Sequence, residues 1–372
     1  MRILHICNDF CGSKVHSNLY RQLDKIGVNQ TVFTCYRGNF PVGTNRFEAS
    51  KTDFIYRGVL GTKHRFLFHT KVKTVYRELI SAITPKQYDL VHAVTMFTDG
   101  AVAYRLYKEY GIPYIISVRN TDINEFMMVA PHTWPLGLKV LRNAKEIVFI
   151  SKAPKEKFCK HFLIKRILPE IQNKFVIQPN GIDPYWLDNI YRGDANLNRN
   201  IIYVGRFDYN KNVLRLMKAV LELKNEFNDI HLHLVGGDGS REQKIKQLAE
   251  RNRDSISYHG KIYDKNELCQ LYHQCSIFAM PSIHETFGLV YMEALSQNLA
   301  VLYTKNQGID GLFDSHVGES VNALSVESIK EGLRKLLSNR GYYNSESVDF
   351  SKFRWPQIAM KYKTIYEQAL LA

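Results

Sequence analysis

The sequence has no long hydrophobic run. Its apolar segments are short, and none approaches the roughly 20 residues that a helix needs to cross a bilayer. The first residues, MRILHICNDFCG, are interrupted by Asn8 and Asp9 before the apolar region of a signal peptide could form. We therefore predict a cytoplasmic protein without a membrane span. Because its net charge is positive, it could also work at the inner face of the membrane.

Cysteine is scarce and shows no disulfide pattern. Six cysteines are scattered through 372 residues, as expected in a reducing compartment. The segment CQLYHQC contains Cys269, His273 and Cys275, but it has neither a fourth metal ligand nor a CxxC pair. We interpret these cysteines as small apolar core residues. We expect no metal and no cofactor.

Acidic residues are scarce in the first half of the chain. The net charge of +14 falls entirely within residues 1–180, whereas residues 181–372 balance to zero. Basic and aromatic residues alternate at 57–77 and 151–166, which suits an anionic membrane surface or a nucleic acid. Solvated helix faces would give the same pattern. No nucleic-acid-binding module is visible and the charge is not gathered in one element, so we expect no nucleic acid partner.

Short β-rich segments alternate with helical patterns, and the alternation restarts after about residue 190. The predicted strands are RILHIC, QTVFTC, YDLVHAV, YIISV, EIVFIS and FVIQPN, then NIIYVGR, HLHLVGG, ISYHG, IFAMPS and AVLYT. A polar, turn-rich segment at 181–200 separates the two series. We predict an α/β protein of two Rossmann-like, doubly wound domains, 1–185 and 195–354, which face each other across a ligand-binding cleft.

Candidate binding turns follow several of the predicted strands, at the carboxyl ends where such folds bind ligands. Gly12 follows the first strand and begins a helix, where backbone amides can closely approach a phosphate or a sugar. Gly205 and Arg206 follow NIIYV, and Lys211 comes five residues after Arg206. Two cations at the start of a helix suit a diphosphate, although a pair of surface cations gives the same pattern.

The segment HETFGLVYME has two carboxylates eight positions apart in an otherwise apolar run. If a helix begins near Phe287, Glu285 precedes it and Glu293 lies nearly two turns in, so that both can face one ligand. The amides of Phe287, Gly288 and Leu289 would favour an anionic diphosphate, an effect of about 0.3–1 kcal/mol. On an apolar face, Glu293 is costly unless a hydroxyl-rich group such as ribose compensates for it.

Taken together, these segments resemble the family-4 glycosyltransferases of the GT-B fold, and the resemblance extends over nearly the full chain. The last of them matches the E-x7-E signature of that family. The matching segments are GSKVH (12–16), YDLVHAV (88–94), GIPYIISV (111–118), AKEIVFISK (144–152), VIQPNGID (176–183), VGRFDYNKN (204–212), HLVGGDG (233–239) and HETFGLVYMEAL (284–295).

The resemblance implies a retaining transferase with a nucleotide-sugar donor as co-substrate. The acceptor would be a hydroxyl of a glycan or a lipid-linked acceptor, in surface polysaccharide or glycolipid assembly. The first domain would bind the acceptor, and the final helix, 355–372, would cross back onto that domain. The second domain would bind the nucleotide sugar.

The resemblance also implies roles for individual residues of the donor site. Arg206 and Lys211 would bind the diphosphate, Glu293 the ribose hydroxyls and Glu285 the donor sugar. The amides around Phe287 would complete the sugar contacts. The base would rest near two residues that follow the strand ISYHG, namely Lys261 and Ile262.

One segment departs from the family pattern. Many relatives have a histidine and a glycine after the GIPY strand, where this chain has RNTD at 119–122. We expect Arg119 to take the place of that histidine near the transferred sugar, with Asp122 beside it. Arg119 offers fixed charge and several donors but no proton shuttling, and the leaving diphosphate itself would accept the acceptor's proton. His16 and His92 are further candidates for sugar or acceptor contacts, although a histidine near a strand end is more often structural.

Other functions remain open at this point. A nucleotide-sugar epimerase or a transferase with a soluble acceptor would use the same fold. A basic protein that binds nucleic acid or a membrane surface would use the positively charged first half of the chain. A catalytically silent scaffold would have no use for either glutamate. The combination of two glutamates and two cations at the family spacing favours glycosyl transfer.

Overall fold

The computed structural model describes residues 1–38, 40–313, 316–345 and 348–371, which form two compact units. The first unit comprises Met1–Ile150, Pro154–Gly181 and Lys352–Ala372, and the second comprises Ser151–Ala153 and Ile182–Ser351. Among the described residues, no helix has both the length and the apolar character that crossing a bilayer requires.

Each unit is built on one parallel β-sheet. The strands are β1 (Arg2–Ile6), β2 (Asn29–Arg37), β3 (Thr52–Leu60), β4 (Leu90–Ala93), β5 (Tyr114–Val118), β6 (Ile147–Phe149), β7 (Phe175–Ile177), β8 (Asn200–Arg206), β9 (His231–Gly237), β10 (Ile256–Gly260), β11 (Ile277–Ala279), β12 (Ala300–Thr304) and β13 (Gly318–Val321). The first sheet has seven strands in the order β3-β2-β1-β4-β5-β6-β7, and the second has six in the order β10-β9-β8-β11-β12-β13. In each sheet the next two strands of the chain are added on one side of the first strand, and the later strands are added on its other side, as in doubly wound folds.

Helices connect the parallel strands in both units. They are α1 (Lys14–Lys25), α2 (Phe68–Ile80), α3 (Thr98–Tyr110), α4 (Met127–Val129), α5 (Trp134–Asn143), α6 (Lys152–Lys160), α7 (Phe162–Ile171), α8 (Pro184–Asp188), α9 (Val213–Leu223), α10 (Glu242–Glu250), α11 (Lys265–His273), α12 (Leu289–Ser296), α13 (Val326–Ser338) and α14 (Trp355–Leu371). The central strands are buried on both faces because helices cover both sides of such a sheet. The predicted α/β class with two parallel sheets is therefore confirmed.

The C-terminal helix α14 belongs to the core of the first unit. Trp355 and Tyr366 of this helix are buried in one cluster with Tyr20 of α1 and Ile115 of β5. Burial of side chains of this size contributes about 1.5–3 kcal/mol each. Gly181 packs against the Trp355 ring so closely that an added Cβ would lie 2.4 Å from it.

Two strands were missed by the sequence prediction. β3 lies at the edge of the first sheet and carries Asp53 and Arg57 among half-buried residues, so it lacks a continuous apolar run. Its residues 57–60 fall within the basic stretch 57–77, which we interpreted from its charge alone. β13 is only four residues long, GESV, and its sequence resembles a turn. Edge strands need no apolar residues on their exposed side, and their pairing is decided by the neighbouring strand.

Candidate active site

The candidate site in the second unit lies where β8 and β9 end, and glycines shape it. Gly205 pairs with Gly236 in the sheet register. Gly236 has φ +141°, and a Cβ on it would lie 1.8 Å from the Gly205 carbonyl oxygen. A Cβ on Gly239 would lie 2.1 Å from the Phe207 backbone. Only glycine permits these backbones to approach so closely, which leaves a surface of main-chain groups at the strand ends.

Arg206 ends β8 and remains largely exposed. Its Nε donates a hydrogen bond to the Asp238 carbonyl oxygen at 3.3 Å and lies 3.8 Å from the Asp208 carboxylate. The Asp238 carboxylate forms an ion pair with Lys261, which follows β10. Arg206 and Lys261 therefore flank the same residue at the carboxyl ends of three adjacent strands. Ile262, the second residue predicted near the base, is half-buried next to Lys261.

The structure brings together Lys211 and Glu285, two predicted site residues from distant parts of the sequence. The Lys211 ammonium donates to the Glu285 carboxylate at 2.7 Å, across 74 residues of sequence. Asn210 fixes the same loop: its side-chain amide donates to the His284 carbonyl oxygen at 2.9 Å and accepts from the His284 N–H at 2.9 Å. The two charges thus form one prearranged pair, which a ligand would contact as a unit.

The loop that carries Glu285 is held by its own backbone and by a second glycine turn. The Glu285 N–H donates to the Gln307 side chain at 3.2 Å, and the Gly308 N–H donates to the Glu285 carbonyl oxygen at 3.1 Å. The Ser151 hydroxyl donates to the Gly308 carbonyl oxygen at 2.9 Å. Gly288 has φ +75°, a left-handed conformation that glycine adopts at little cost. A Cβ there would lie 2.5 Å from the Tyr291 ring and 3.2 Å from the Glu285 side chain.

Helix α12 begins at Leu289, two residues later than predicted, with Gly288 as its N-cap. The first-turn amides of a helix have no partner inside it, so the start of α12 can offer them to an anion. Phe287 is 2% exposed, so its side chain belongs to the core and only its backbone can contact a ligand. Glu293 lies just over one turn into α12 rather than nearly two, because the helix begins later.

Glu293 is partly buried on α12, and its environment stabilises the protonated form. The pKa of Glu293 is raised to about 7, first by burial and then by the nearby Asp183 carboxylate, while Lys265 opposes the rise. Asp183 and Lys265 form an ion pair at 2.6 Å. The Tyr272 hydroxyl is buried without a hydrogen-bond partner among the described residues. A hydroxyl-bearing ligand at Glu293 would meet an acid that changes charge near neutral pH.

In the first unit, Gly12 and His16 lie at the start of α1. Gly12 is exposed in a short turn, where a Cβ would approach the Asp9 carboxylate to 2.7 Å. His16 is buried, and its pKa is lowered to about 3, first by burial and then by the charge of Arg119. The His16 imidazole is therefore neutral at physiological pH. It can donate or accept a hydrogen bond, and it carries no positive charge.

Arg119 and Asp122 follow β5, but they have different environments. Arg119 is half-buried and its Nε donates to the Val94 carbonyl oxygen at 3.1 Å. Asp122 is fully buried and accepts the backbone N–H groups of Met96, Phe97 and Arg119 at 2.8–3.1 Å. Burial raises the pKa of Asp122 to about 6, and these hydrogen bonds oppose the rise. The prediction that Asp122 contacts a sugar is corrected, because its carboxylate holds two loops together instead.

The prediction for His92 is corrected in the same way. His92 lies within β4 and is 1% exposed. One ring nitrogen bonds the Tyr366 hydroxyl at 2.9 Å and the other bonds the Ser117 hydroxyl at 3.1 Å. Both polar atoms of the ring are therefore used in the interior, between β5 and α14. His92 stabilises the first unit and has no atom left for a ligand.

Sequence reasoning missed several residues that shape these sites. Asn210, Gln307 and Gly308 hold the Glu285 loop, and Asp183 and Lys265 flank Glu293. Gln307 and Gly308 follow the predicted strand AVLYT, so the carboxyl-end rule already applied to them. No comparable signal marks Lys265, whose position depends on the fold.

The metal interpretation of the cysteines has no support in the described residues. Cys269 donates to the Gln297 side chain, which also bonds His273 at 2.9 Å. Cys275 is buried, and burial raises the pKa of its thiol. Within the part of the chain that the structure describes, no group of three or more His, Cys, Asp or Glu is placed to hold a metal ion.

Two family models match the chain, one in each half. The model described as Glycosyltransferase Family 4 matches residues 13–186. The model described as Glycosyl transferases group 1 matches residues 194–352. The second match contains the glycine turns, both cations and both glutamates described above.

Relatives and solved structures agree with these matches. An uncharacterized glycosyltransferase of Methanocaldococcus jannaschii is 26% identical over 290 residues, which is 75% of each chain. Lipopolysaccharide 1,2-N-acetylglucosaminetransferase of Salmonella typhimurium is 27% identical over 182 residues, 44% of this chain and 46% of that protein. Sucrose-phosphate synthase from Thermosynechococcus elongatus superposes with a TM-score of 0.73 at 19% identity, over 99% of this chain and 98% of that one. At that identity the structural likeness establishes the fold alone, which is GT-B.

Proposed function

The chain is a glycosyltransferase of the family-4 type with the GT-B fold, and from this premise we propose that it transfers a hexose from a nucleotide sugar with retention of anomeric configuration. The acceptor we propose is a hydroxyl of a glycan or of a lipid-linked acceptor. The observation that carries the proposal is the contact between Lys211 and Glu285 at 2.7 Å. Asp208 links this pair to Arg206, because its carboxylate accepts the Lys211 backbone N–H at 2.9 Å and lies 3.8 Å from the Arg206 Nε. The arrangement combines cations for a diphosphate with a carboxylate for sugar hydroxyls.

The donor would be held by groups of the second unit. Arg206 and Lys211 would bind the diphosphate, and the first-turn amides of α12 would add hydrogen bonds to it. Glu285 would accept hydrogen bonds from sugar hydroxyls, and its pairing with Lys211 would fix the position of both. Glu293 would bind the ribose hydroxyls. These contacts would orient the anomeric carbon, which supplies part of the rate acceleration through positioning.

In the transfer step, the bond between the anomeric carbon and the diphosphate oxygen breaks, and a bond to the acceptor oxygen forms on the same face of the sugar. The negative charge that develops on the departing diphosphate is stabilised by Arg206 and Lys211. The acceptor's proton passes to the departing phosphate oxygen, so no protein base is needed. Neutral His16 and the Arg119 guanidinium are the side chains of the first unit that we propose for sugar or acceptor contacts.

We also propose that residues 1–185 bind the acceptor and that the excess positive charge of residues 1–180 favours an anionic surface. This supports a lipid-linked acceptor and work at the inner face of a membrane, in surface polysaccharide or glycolipid assembly. The similar protein of Salmonella typhimurium is a lipopolysaccharide transferase, which supports the same assignment. No metal is expected in this mechanism, because the two cations supply the charge.

A thermal-shift panel of UDP, GDP, ADP and CMP with their sugar derivatives tests the donor proposal. A ligand at 100 times its dissociation constant adds roughly 2.7 kcal/mol to the free energy of unfolding, which is readily measured. We expect one nucleoside diphosphate and its sugars to stand out. Proton NMR of the product then reports the anomeric configuration. If no nucleotide shifts the transition, the donor site is refuted, and an inverted product refutes retention alone.

A further inference from the structure

Three segments of the first unit expose large apolar side chains. Phe66 and Leu67 immediately precede α2, Met128 and Val129 lie in α4, and Phe162 begins α7. Phe66 leaves 75% of its surface exposed and Val129 leaves 77%. Single exposed apolar residues are ordinary, whereas a group of them on one surface marks an interaction site.

Contacts between their neighbouring residues bring the three segments together. The Phe68 ring lies 5.6 Å from the Phe126 ring, which links the start of α2 to the segment before α4. The Trp134 indole N–H donates to the Phe126 carbonyl oxygen at 3.2 Å, and the Trp134 ring lies 5.5 Å from the Phe162 ring. Of the exposed apolar residues, Phe162 makes one of these contacts itself. The other four lie within three positions of Phe68 or Phe126 in the sequence. We therefore treat Phe66, Leu67, Met128, Val129 and Phe162 as one docking face.

Exposed cations lie on two of the segments that form this docking face. On α7, Lys165 and Arg166 follow Phe162 by three and four residues, so all three lie on one side of the helix. Further exposed cations accompany the α2 segment, namely Lys63, Arg65, Lys73 and Arg77. Residues 54–77, 126–145 and 157–169 contain no Asp or Glu. Exposed acids border these ranges at Glu125, Glu156 and Glu170, and Glu78 pairs with Arg77 at 3.6 Å.

We propose that the docking face binds an anionic lipid bilayer, with its apolar side chains in the headgroup region and its cations against the lipid phosphates. Apolar side chains flanked by lysine and arginine match the chemistry of that region on both counts. A nucleic acid would satisfy the cations only, and it would gain nothing from the aliphatic Met128 and Val129. The proposal rests on the membrane association proposed above, and it does not depend on the transfer chemistry.

Flotation with lipid vesicles tests the proposal in the absence of donor and acceptor. The full-length protein is mixed with phosphatidylcholine vesicles that contain about one third phosphatidylglycerol, and with pure phosphatidylcholine vesicles. We expect binding to the anionic vesicles that weakens as salt is added, since salt screens the cations. Phe66→Ser with Leu67→Ser should weaken binding at least about tenfold, because two apolar side chains no longer enter the bilayer. Lys63→Gln with Arg65→Gln should weaken it about 25-fold, or about fivefold for each cation.

Matched controls come from the second unit, where Leu197 and Leu324 are also exposed. Leu197→Ser and Leu324→Ser should leave vesicle binding unchanged. Native binding by the Phe66→Ser, Leu67→Ser variant would overturn the proposal, as would equal binding to neutral and anionic vesicles. If the Phe66→Ser, Leu67→Ser variant loses its native melting transition, Val129→Thr provides a second test, because it keeps the shape of the side chain. Unchanged vesicle binding by Val129→Thr would also overturn the proposal.

The remaining outcomes are equally decisive. If the docking-face variants lose self-association in gel filtration while vesicle binding persists, the face joins two copies of the chain and the proposal is wrong. If duplex DNA binds and the serine variant loses that binding instead, the partner class is wrong. Transfer to a soluble acceptor is measured separately, so failed vesicle binding with intact transfer leaves the transferase proposal standing.

Discussion

Replacement of Glu285 by glutamine is the sharpest test of the candidate active site. The Glu285 carboxylate accepts from the Lys211 ammonium at 2.7 Å, with 12% and 23% of the two side chains exposed, and its other oxygen accepts from the Thr286 N–H at 3.1 Å. Glutamine keeps the size of the side chain but has only one oxygen, so one of these two bonds is lost. A hydrogen bond to a charged group contributes about 1.5–3 kcal/mol. Partial exposure reduces this, and we expect about 1–2 kcal/mol of lost stability.

The expected effect on catalysis is larger than the effect on stability. If Glu285 positions the donor sugar and holds Lys211 against the developing charge, Glu285→Gln should lower kcat by about 10²–10³, the range found when one preorganised electrostatic group is removed. The assay measures nucleotide release in the presence of acceptor, together with the free energy of unfolding in urea. Glu222→Gln is the matched control, because Glu222 pairs with Lys330 at 3.3 Å on the surface of the same unit. It should change neither quantity by more than the error.

A double-mutant cycle with Lys211→Met identifies the origin of the effect. If the two residues act as one unit, the double variant should be about as slow as the worse single variant, with a coupling energy of about 1–3 kcal/mol. Near-normal turnover by Glu285→Gln would remove Glu285 from the site. Additive losses would refute the argument that the pair acts together.

The other predictions concern the diphosphate, the pH dependence and the interior. Arg206→Ala with Lys211→Ala should weaken nucleoside diphosphate binding far more than nucleoside binding in calorimetry, and equal losses would contradict the diphosphate role. Because the pKa of Glu293 is raised from 4.5 to about 7, the folded chain retains a proton that the unfolded chain releases between those values, so stability should fall as pH rises through this window. Glu293→Gln should remove that fall, on the order of 3 kcal/mol between pH 5 and 8, in urea unfolding; an unchanged slope would show that Glu293 is not its source. His92→Leu should lower the free energy of unfolding by about 2–4 kcal/mol, because it leaves two buried hydroxyls unpaired, while kcat of the folded fraction stays normal; a selective loss of kcat would contradict its structural role.

Much of the fold follows from the sequence because local signals and tertiary structure agree. Continuous apolar segments such as YIISV can be buried only between two layers of helices, and their alternation with helical segments predicts parallel sheets. The edge strand Thr52–Leu60 could not be predicted in this way, because half of its surface needs no burial. Its pairing depends on β2, and no periodic pattern in its own sequence reveals that dependence.

The same division applies to the candidate site. The positions of Arg206, Lys211 and Glu285 could be anticipated because each follows a recognisable strand, and the end of a parallel strand is fixed by local sequence. Which of these side chains contact one another is a tertiary property: Lys211 meets Glu285 across 74 residues because β8 and β11 are neighbours in the sheet. His92 shows the converse, since its sequence context resembles that of a site residue. Its role was decided by α14, which supplies Tyr366 from 274 residues away, because a buried imidazole must find hydrogen-bond partners wherever the fold provides them.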